Sequence, residues 1–223
     1  GIEEVSATTT FTIAPKTITT TLTQNSGVYN GTAHTPGVNF NDLCENETLA
    51  KGTDYTVEYS DNTNVGTVDV TVTLLNHNYS FGFEEDGTPK YTKELPYEIT
   101  EAVPTVKLEP TPKKNLFYTG SAQELITAGA TDDGTIQYRL GENGEWRTTI
   151  PTATNVGAYT VYYKVEGDKN HNNSEETSVS VTIEKATPTA KNFTFTSPEN
   201  LTYDGNVKTA IVEANTDITG MGA

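Results

Sequence analysis

The tripeptide Tyr-x-Gly occurs three times in this chain, each time in a similar sequence context. Its copies lie about 85 to 90 residues apart, and Thr-Asn-Val-Gly returns after a similar interval, a period that is typical of tandem copies of a small domain. The residues that define these motifs are Tyr29, Gly31, Gly66, Tyr118, Gly120, Gly157, Tyr203 and Gly205. We therefore expect repeated small domains rather than one continuous body of 223 residues.

Two further motifs place the domain boundaries. Asn-His-Asn occurs at residues 76–78 and again at 170–172, and an alternating stretch ends in isoleucine at Ile13, Ile99 and Ile183. The predicted segments are 1–14, the last strand of a preceding repeat; 15–101 and 102–185, two complete domains; and 186–223, an incomplete third repeat. Because the chain begins and ends within a repeat, we expect it to be a piece of a longer exported protein whose export signal and anchor lie elsewhere.

The composition and the hydrophobic pattern predict an all-β fold. Threonine is the commonest residue, and tyrosine and valine are frequent, which are residue types that suit a pleated, half-buried surface. Residues 67–75 alternate between valine and polar residues, and Asn143-Gly144 is a strong hairpin signal. Short strands, frequent turns and this repeat length predict tandem immunoglobulin-like β-sandwich domains. Short junctions that contain Pro104 and Pro188 predict an elongated array with restricted hinges.

Residues 29–72 and 118–171 resemble two subtypes of the immunoglobulin-like surface repeats found in long exported proteins of gut Firmicutes and Bacteroidetes. The resemblance depends on the linked Tyr-x-Gly, Thr-Asn-Val-Gly and Asn-His-Asn motifs, and it covers nearly the whole chain. It implies an extracellular, cell-surface attached spacer or adhesin module. It supplies no catalytic residues, since the family pattern contains none.

The charge balance excludes several classes of partner. Thirty acidic residues against 14 basic residues give a formal net charge of −16, which repels nucleic acid and anionic membranes. No apolar run reaches the length that a membrane-spanning helix needs, so we expect no membrane span in this chain. Cys44 is the only cysteine, which excludes an intrachain disulfide.

The sequence contains no motif for catalysis or for binding a cofactor or a metal ion. We find no Gly-x-Ser-x-Gly, no phosphate-binding loop and no metal-ligand spacing among His34, His77 and His171. We therefore predict a non-enzymatic protein without cofactor or metal, in which His77 and His171 have structural roles in turns. Carboxylates are abundant, so a glycosidase-type pair and calcium binding at the acidic turns 84–87 and 132–134 stay open.

The first complete domain carries an insertion of about ten residues relative to the second. Within it, Tyr79, Phe81 and Phe83 alternate on one face, and Asp86-Gly87 is a suitable turn for a hairpin. A row of aromatic side chains must be either buried or used for binding. It either packs at the joint with the next domain or forms a ligand surface.

The second domain has a longer segment elsewhere, which contains the single tryptophan, Trp146. With Tyr138, Tyr162 and Tyr163 nearby in the predicted sheet, Trp146 is a candidate for a sugar-stacking platform. The alternative is that Trp146 belongs to the core of the sandwich.

These observations favour a non-enzymatic spacer that holds a distal binding element of an adhesin-like bacterial protein away from the envelope. The first alternative is a module that binds a host or microbial surface glycan or protein through one of the two aromatic hairpins. The second is an accessory region of an exported polysaccharide-degrading enzyme.

The two ends are expected to be incomplete as folded units. Residues 5–14 supply a closing strand without a body, and residues 186–223 leave Phe193, Phe195 and Ile211 without a closing strand to cover them. We expect these ends either to exchange strands with a neighbouring molecule or to lie poorly ordered against the second domain.

Overall fold

A computed structural model describes residues 8–215 of the chain, and the expectations for residues 1–7 and 216–223 lie outside that part. The regular secondary structure of the described residues is β, apart from one short 3₁₀ turn at Ala190–Asn192, so the predicted all-β class is confirmed. The chain divides into two compact units between Ala102 and Val103, which we call unit 1 and unit 2.

Eight strands form the described part of unit 1. They are β1 (Lys16–Thr17), β2 (Thr19–Leu22), β3 (Ser26–Val28), β4 (Val38–Asn41), β5 (Tyr55–Tyr59), β6 (Gly66–Leu74), β7 (Tyr79–Ser80) and β8 (Thr92–Thr100). The main sheet has the order β3-β8-β6-β5, in which β3 runs parallel to β8 and the other pairs are antiparallel. Two smaller pairs, β2 with β4 and β1 with β7, complete the unit.

The core of unit 1 follows from the alternation of β6. Val68, Val70, Val72 and Leu74 are buried, whereas Asp69 between them is exposed, because successive side chains of a strand point to opposite faces. The buried residues fall into two clusters, one around Leu22, Tyr97 and Ile99 and the other around Ile18, Leu74 and Tyr79. This burial of β-branched and aromatic side chains is the main stabilising term of the unit.

Seven strands form the described part of unit 2. They are β9 (Gln123–Glu124), β10 (Gly134–Leu140), β11 (Thr152–Ala153), β12 (Gly157–Gly167), β13 (Thr177–Ile183), β14 (Phe193–Thr196) and β15 (Ile211–Ala214). The largest sheet has the order β10-β12-β13, all antiparallel, and β9 pairs with β11. Its core contains Leu125, Ile126 and the inward residues of the three-stranded sheet, among them Val161, Val165 and Ile183.

The sequence motifs occupy matching positions inside the two units. Gly66 lies opposite Ile99 between β6 and β8, and Gly157 lies opposite Ile183 between β12 and β13. The two tyrosines of the Tyr-x-Gly motif then bond to the residue that follows each isoleucine. The Tyr29 N–H donates to the carbonyl of Thr100 at 2.8 Å, and the Tyr118 N–H donates to the carbonyl of Glu184 at 2.9 Å.

The glycines of these motifs adopt backbone conformations that favour glycine. Gly31 and Gly120 have φ of +74° and +77°, which a side chain would strain, and Gly205 of the third copy has +81°. Gly66 and Gly157 also have positive φ, at +138° and +156°.

The two ends of the described chain differ from the interior. The strand expected at residues 8–13 does not form: these residues belong to no strand of the part that the structure describes, and Phe11 and Ile13 are each 82% exposed. At the other end, β14 and β15 pair with each other and with no other described strand, and Phe195 and Ile211 on them are exposed. Tyr203 lies between these strands in an irregular, exposed segment.

Candidate functional site

Arg139 of β10 lies between two aromatic rings on the solvent face of unit 2. Its guanidinium carbon is 4.9 Å from the ring centroid of Trp146 and 4.8 Å from that of Tyr162. Lys164 approaches the same indole, with its Nζ 4.6 Å from the centroid. Distances of this size are typical of cation–π contacts. We call Trp146, Arg139, Tyr162 and Lys164 the cation–aromatic row.

The strand register brings these side chains together. Arg139 is the direct cross-strand partner of Tyr162, and Tyr138 bridges to Arg147, which places Trp146 beside Arg139. Because Tyr138 points into the core, its neighbour Arg139 points to the opposite face. The predicted Asn143-Gly144 hairpin thus folds Trp146 back over β10.

Polar contacts fix the guanidinium in this position. Its Nη2 lies 2.6 Å from Oε2 of Glu176, and its Nη1 donates to the carbonyl of Glu142. The Arg139 side chain is only 17% exposed. A charge held this far from water needs its partners, so these contacts tie the Trp146 hairpin to the sheet.

The predicted sugar-stacking platform is only partly assembled. Tyr138 and Tyr163 are 3% and 6% exposed and belong to the core, so the expectation that they extend the platform is wrong. Trp146 and Tyr162 are brought together and are partly exposed, but Arg139 lies against both rings. Sequence reasoning missed Arg139, although a signal exists: the only two arginines of the chain flank its single tryptophan.

The aromatic row of the first domain does not form one exposed surface. The predicted hairpin is present, since the Phe81 N–H donates to the Lys90 carbonyl at 2.7 Å and Phe83 bridges to Pro89. Tyr79, however, is 1% exposed and sits in the core, and Phe81 packs against the same cluster. Only Phe83 is exposed, at 44%, so a ligand surface that uses all three rings is wrong. Tyr79 and Phe81 pack within unit 1 and are not available to a ligand.

Two core tyrosines donate hydrogen bonds to glutamates. The Tyr79 hydroxyl donates to the carboxylate of Glu47, and the Tyr163 hydroxyl donates to that of Glu109. Hydrogen bonding to Cys44 and to Glu47 raises the pKa of Tyr79 to about 12. Burial, followed by the bond to Glu109, raises the pKa of Tyr163 to about 12. Both phenols are therefore held in their neutral, donating form.

The acidic turn at residues 132–134 is engaged by groups of the chain itself. The Asp133 carboxylate accepts bonds from the N–H and the hydroxyl of Thr105 at 2.7 and 2.6 Å, and these bonds lower its pKa. Asp132 forms an ion pair with Lys107. His171 lies between two carboxylates, with Nδ1 2.7 Å from Asp168 and Nε2 3.6 Å from Asp133. These contacts fasten the first residues of unit 2 to two of its turns.

His77 has a different environment, although its motif is the same. Its ring stacks on Tyr91, with the ring centroids 4.2 Å apart. The other acidic turn is also internally bonded, since Glu84 pairs with Lys90 at 3.1 Å and Asp86 accepts the Thr88 N–H at 2.9 Å.

No protein-family description matches the chain, and no curated protein matches it either. Among residues 8–215, no three histidine, cysteine, aspartate or glutamate side chains are grouped so as to hold a metal ion. The same residues contain no helix that is both long enough and apolar enough to cross a membrane.

Replacing Arg139 by alanine should destabilise unit 2. The change removes two cation–π contacts and a shielded ion pair, and we expect a loss of about 1–2 kcal/mol in the free energy of unfolding. Arg139→Lys keeps the charge but not the planar stack, so it should recover only part of that loss. Denaturant unfolding followed by Trp146 fluorescence measures both variants. An unchanged unfolding free energy in Arg139→Ala would show that the row contributes nothing to stability.

Tyr79 and Tyr163 should titrate later than ordinary tyrosines. Their folded-state pKa values of about 12 exceed the unfolded value, so the stability they contribute is complete below pH of about 10 and is lost as pH rises through 12. Absorbance of the phenolate between pH 9 and 13 should show a late fraction among the 12 tyrosines, accompanied by unfolding. Tyr163→Phe should reduce that late fraction. A single titration near pH 10 for every tyrosine would contradict the two buried donor bonds.

Proposed function

We propose that this chain is a non-enzymatic structural region of a bacterial cell-surface protein, built from tandem immunoglobulin-like β-sandwich domains. Its role is to hold a more distal binding element away from the cell envelope in an extracellular setting. The observation that carries the proposal is the matched bonding of the sequence motifs inside the two units.

The two units make the same contacts on both edges of their last main-sheet strand, β8 in unit 1 and β13 in unit 2, and this match supports repeated domains. In unit 1 the closing strand β8 faces Gly66 through Ile99, and Thr100 accepts the Tyr29 N–H. Unit 2 repeats these contacts at Ile183, the last residue of β13, and at Glu184, which follows it. The motifs are therefore used to build each unit, as expected where a repeat recurs for structural reasons.

The sheet order supports the immunoglobulin-like assignment. In each unit the segment before the Tyr-x-Gly glycine runs parallel beside the closing strand, through β3 with β8 and through the bridge between Phe117 and Glu184. The long strand that follows Thr-Asn-Val-Gly lies on the other side of the closing strand, and an antiparallel strand lies beyond it. A main sheet with a second, smaller set of strands over a shared core is the architecture of a β-sandwich.

Charge and linkage support a spacer role. A net charge of −16 favours solubility. Only Glu101 and Ala102 stand between the end of β8 and Val103, and Pro104, which follows, has a φ fixed by its ring. Stiff connections between folded units convert chain length into reach.

A surface-display experiment tests the spacer role. The full chain is placed between a bacterial outer anchor and an epitope, and antibody access to the epitope is measured on cells with a thick surface layer. Substituting unrelated immunoglobulin-like domains of equal number should preserve access, whereas deleting residues 103–185 should reduce it. Loss of access on substitution by equal-length domains would contradict a purely geometric role.

A second candidate function is binding of a surface glycan or protein, and partly exposed Trp146 favours it. Its indole lies on the solvent face of the sheet with Tyr162 beyond Arg139, which gives apolar rings and hydrogen-bond donors at one place. Glycan and host-protein arrays probed with the full chain test this role, with Trp146→Ala as the matched control. Signal that disappears in the control favours the binding module, and signal that is absent throughout favours the spacer.

A further inference from the structure

Among the described residues, no neighbouring strand covers one edge of β13 in unit 2 over most of its length. The Gly141 N–H bonds to the Thr160 carbonyl, so Thr160 faces β10, and the alternate residues of β12 face β13. By the same alternation, Ser178, Ser180 and Thr182 direct their N–H and C=O groups away from β12. Glu184 has the same orientation, and its N–H reaches the Leu116 carbonyl on that side at 2.8 Å.

Within residues 8–215, no backbone hydrogen bond joins Ser178, Ser180 or Thr182 to a segment on this outer side. Their side chains are exposed as well. The outer edge of β13 therefore presents a row of unpaired peptide groups, which is a template for adding a strand.

Unit 1 covers and blocks the corresponding edge. Since Ile99 corresponds to Ile183, Glu98 and Pro96 correspond to Thr182 and Ser180. Glu98 is paired there, because its N–H bonds to the Asn25 carbonyl at 2.9 Å. Pro96 has no N–H to donate, which is a common protection of an edge strand.

The reason for the difference lies three residues before each motif tyrosine. In unit 1 that residue is Ser26, which is extended and belongs to β3. In unit 2 it is Asn115, whose φ of +57° places it in the left-handed region. The chain turns at Asn115, so its strand pairing with β13 is limited to the bridge at Phe117 instead of continuing along the edge.

The same chain contains an unpaired segment with the matching pattern. Residues 8–13 alternate threonine with Phe11 and Ile13, and all six residues are exposed. β13 has a similar pattern, in which serine and threonine alternate with apolar residues. Neither segment contains a charged residue. In a chain with net charge −16, two neutral segments are where copies meet with least local repulsion.

We propose that the outer edge of β13 is a strand-addition site for residues 8–13 of a second copy of this chain. The added backbone bonds to Ser178, Ser180 and Thr182, and Phe11 and Ile13 are covered on one face. Main-chain hydrogen bonds supply the affinity in this mode of recognition. Donor and acceptor are different surfaces, so the contact is heterologous and association can continue beyond two copies.

Sedimentation equilibrium of the full chain over a wide concentration range tests the proposal. The weight-average mass should rise with concentration, and more steeply at high salt, which screens the net negative charge. Ser180→Pro removes the central donor and should weaken association by about tenfold or more. Ser180→Ala keeps the N–H and is the matched control, with association like that of the natural chain.

Two checks separate loss of the edge from loss of the fold. The Ser180 N–H is not used within the described part of unit 2, so Ser180→Pro should keep its thermal unfolding midpoint near that of Ser180→Ala. The double variant Thr10→Pro/Phe11→Pro alters only residues outside all strands of the described chain, and it should abolish association equally.

Amide exchange identifies the acceptor directly. Exchange at Ser178, Ser180 and Thr182 should be fast in dilute solution and slow in concentrated solution, whereas Glu184 is protected in both. A single copy at every concentration overturns the proposal, and so does unchanged association of Ser180→Pro. Protection of Ser180 in the dilute monomer also overturns it, since the edge is then covered within one chain. Association that only the double variant weakens would place the acceptor elsewhere and reject β13.

Discussion

The closing strand of each unit is held on both edges near its end, and the rest of the unit depends on this. On one edge the isoleucine faces the glycine that begins the long middle strand, as Ile99 faces Gly66 and Ile183 faces Gly157. On the other edge the following residue accepts the amide of the motif tyrosine. These contacts join residues far apart in sequence, so the loop entropy they cost must be offset by the buried valines and aromatic residues around them. The repeated motifs mark the places where that closure is made.

Apart from these contacts of the closing strand, the two units place their polar and aromatic residues differently. Unit 1 buries Tyr79 from its inserted segment. On the outer edge of β8 it has Pro96, which offers no N–H, whereas β13 of unit 2 has Ser180 at the corresponding position, and its N–H has no partner among the described residues. Unit 2 instead places Arg139 between two rings on the solvent face, where it is bonded to Glu176. The spacer role that we propose for the chain requires only that the units are stable and connected. The open edge and the cation–aromatic row are the features in which a particular partner, or a second copy, would be recognised.

Much of the strand pattern was predictable because alternation and turn chemistry are local. The strands β5, β6, β10, β12 and β13 lie where alternating residues predict them. The hairpin expected around Asn143-Gly144 also forms, and its turn is closed by the Gly144 N–H, which donates to the Gly141 carbonyl. The burial of Tyr79 was not predictable, because an alternating pattern shows which side chains share one side of a strand but not which side is covered by the core. The position of Arg139 depends on the register between β10 and β12, which no local pattern specifies. The strand expected at residues 8–13 fails to form because alternation cannot supply a partner.

Native-state hydrogen exchange at Tyr29 and Tyr118 tests the central claim that the tyrosine amides close the two units. Both N–H groups donate to the end of a closing strand, so both should exchange only when their own unit unfolds as a whole. Their exchange free energies should then equal the unfolding free energies of unit 1 and unit 2, measured by denaturant. Exchange of either amide well below that limit, through local opening, would contradict the account.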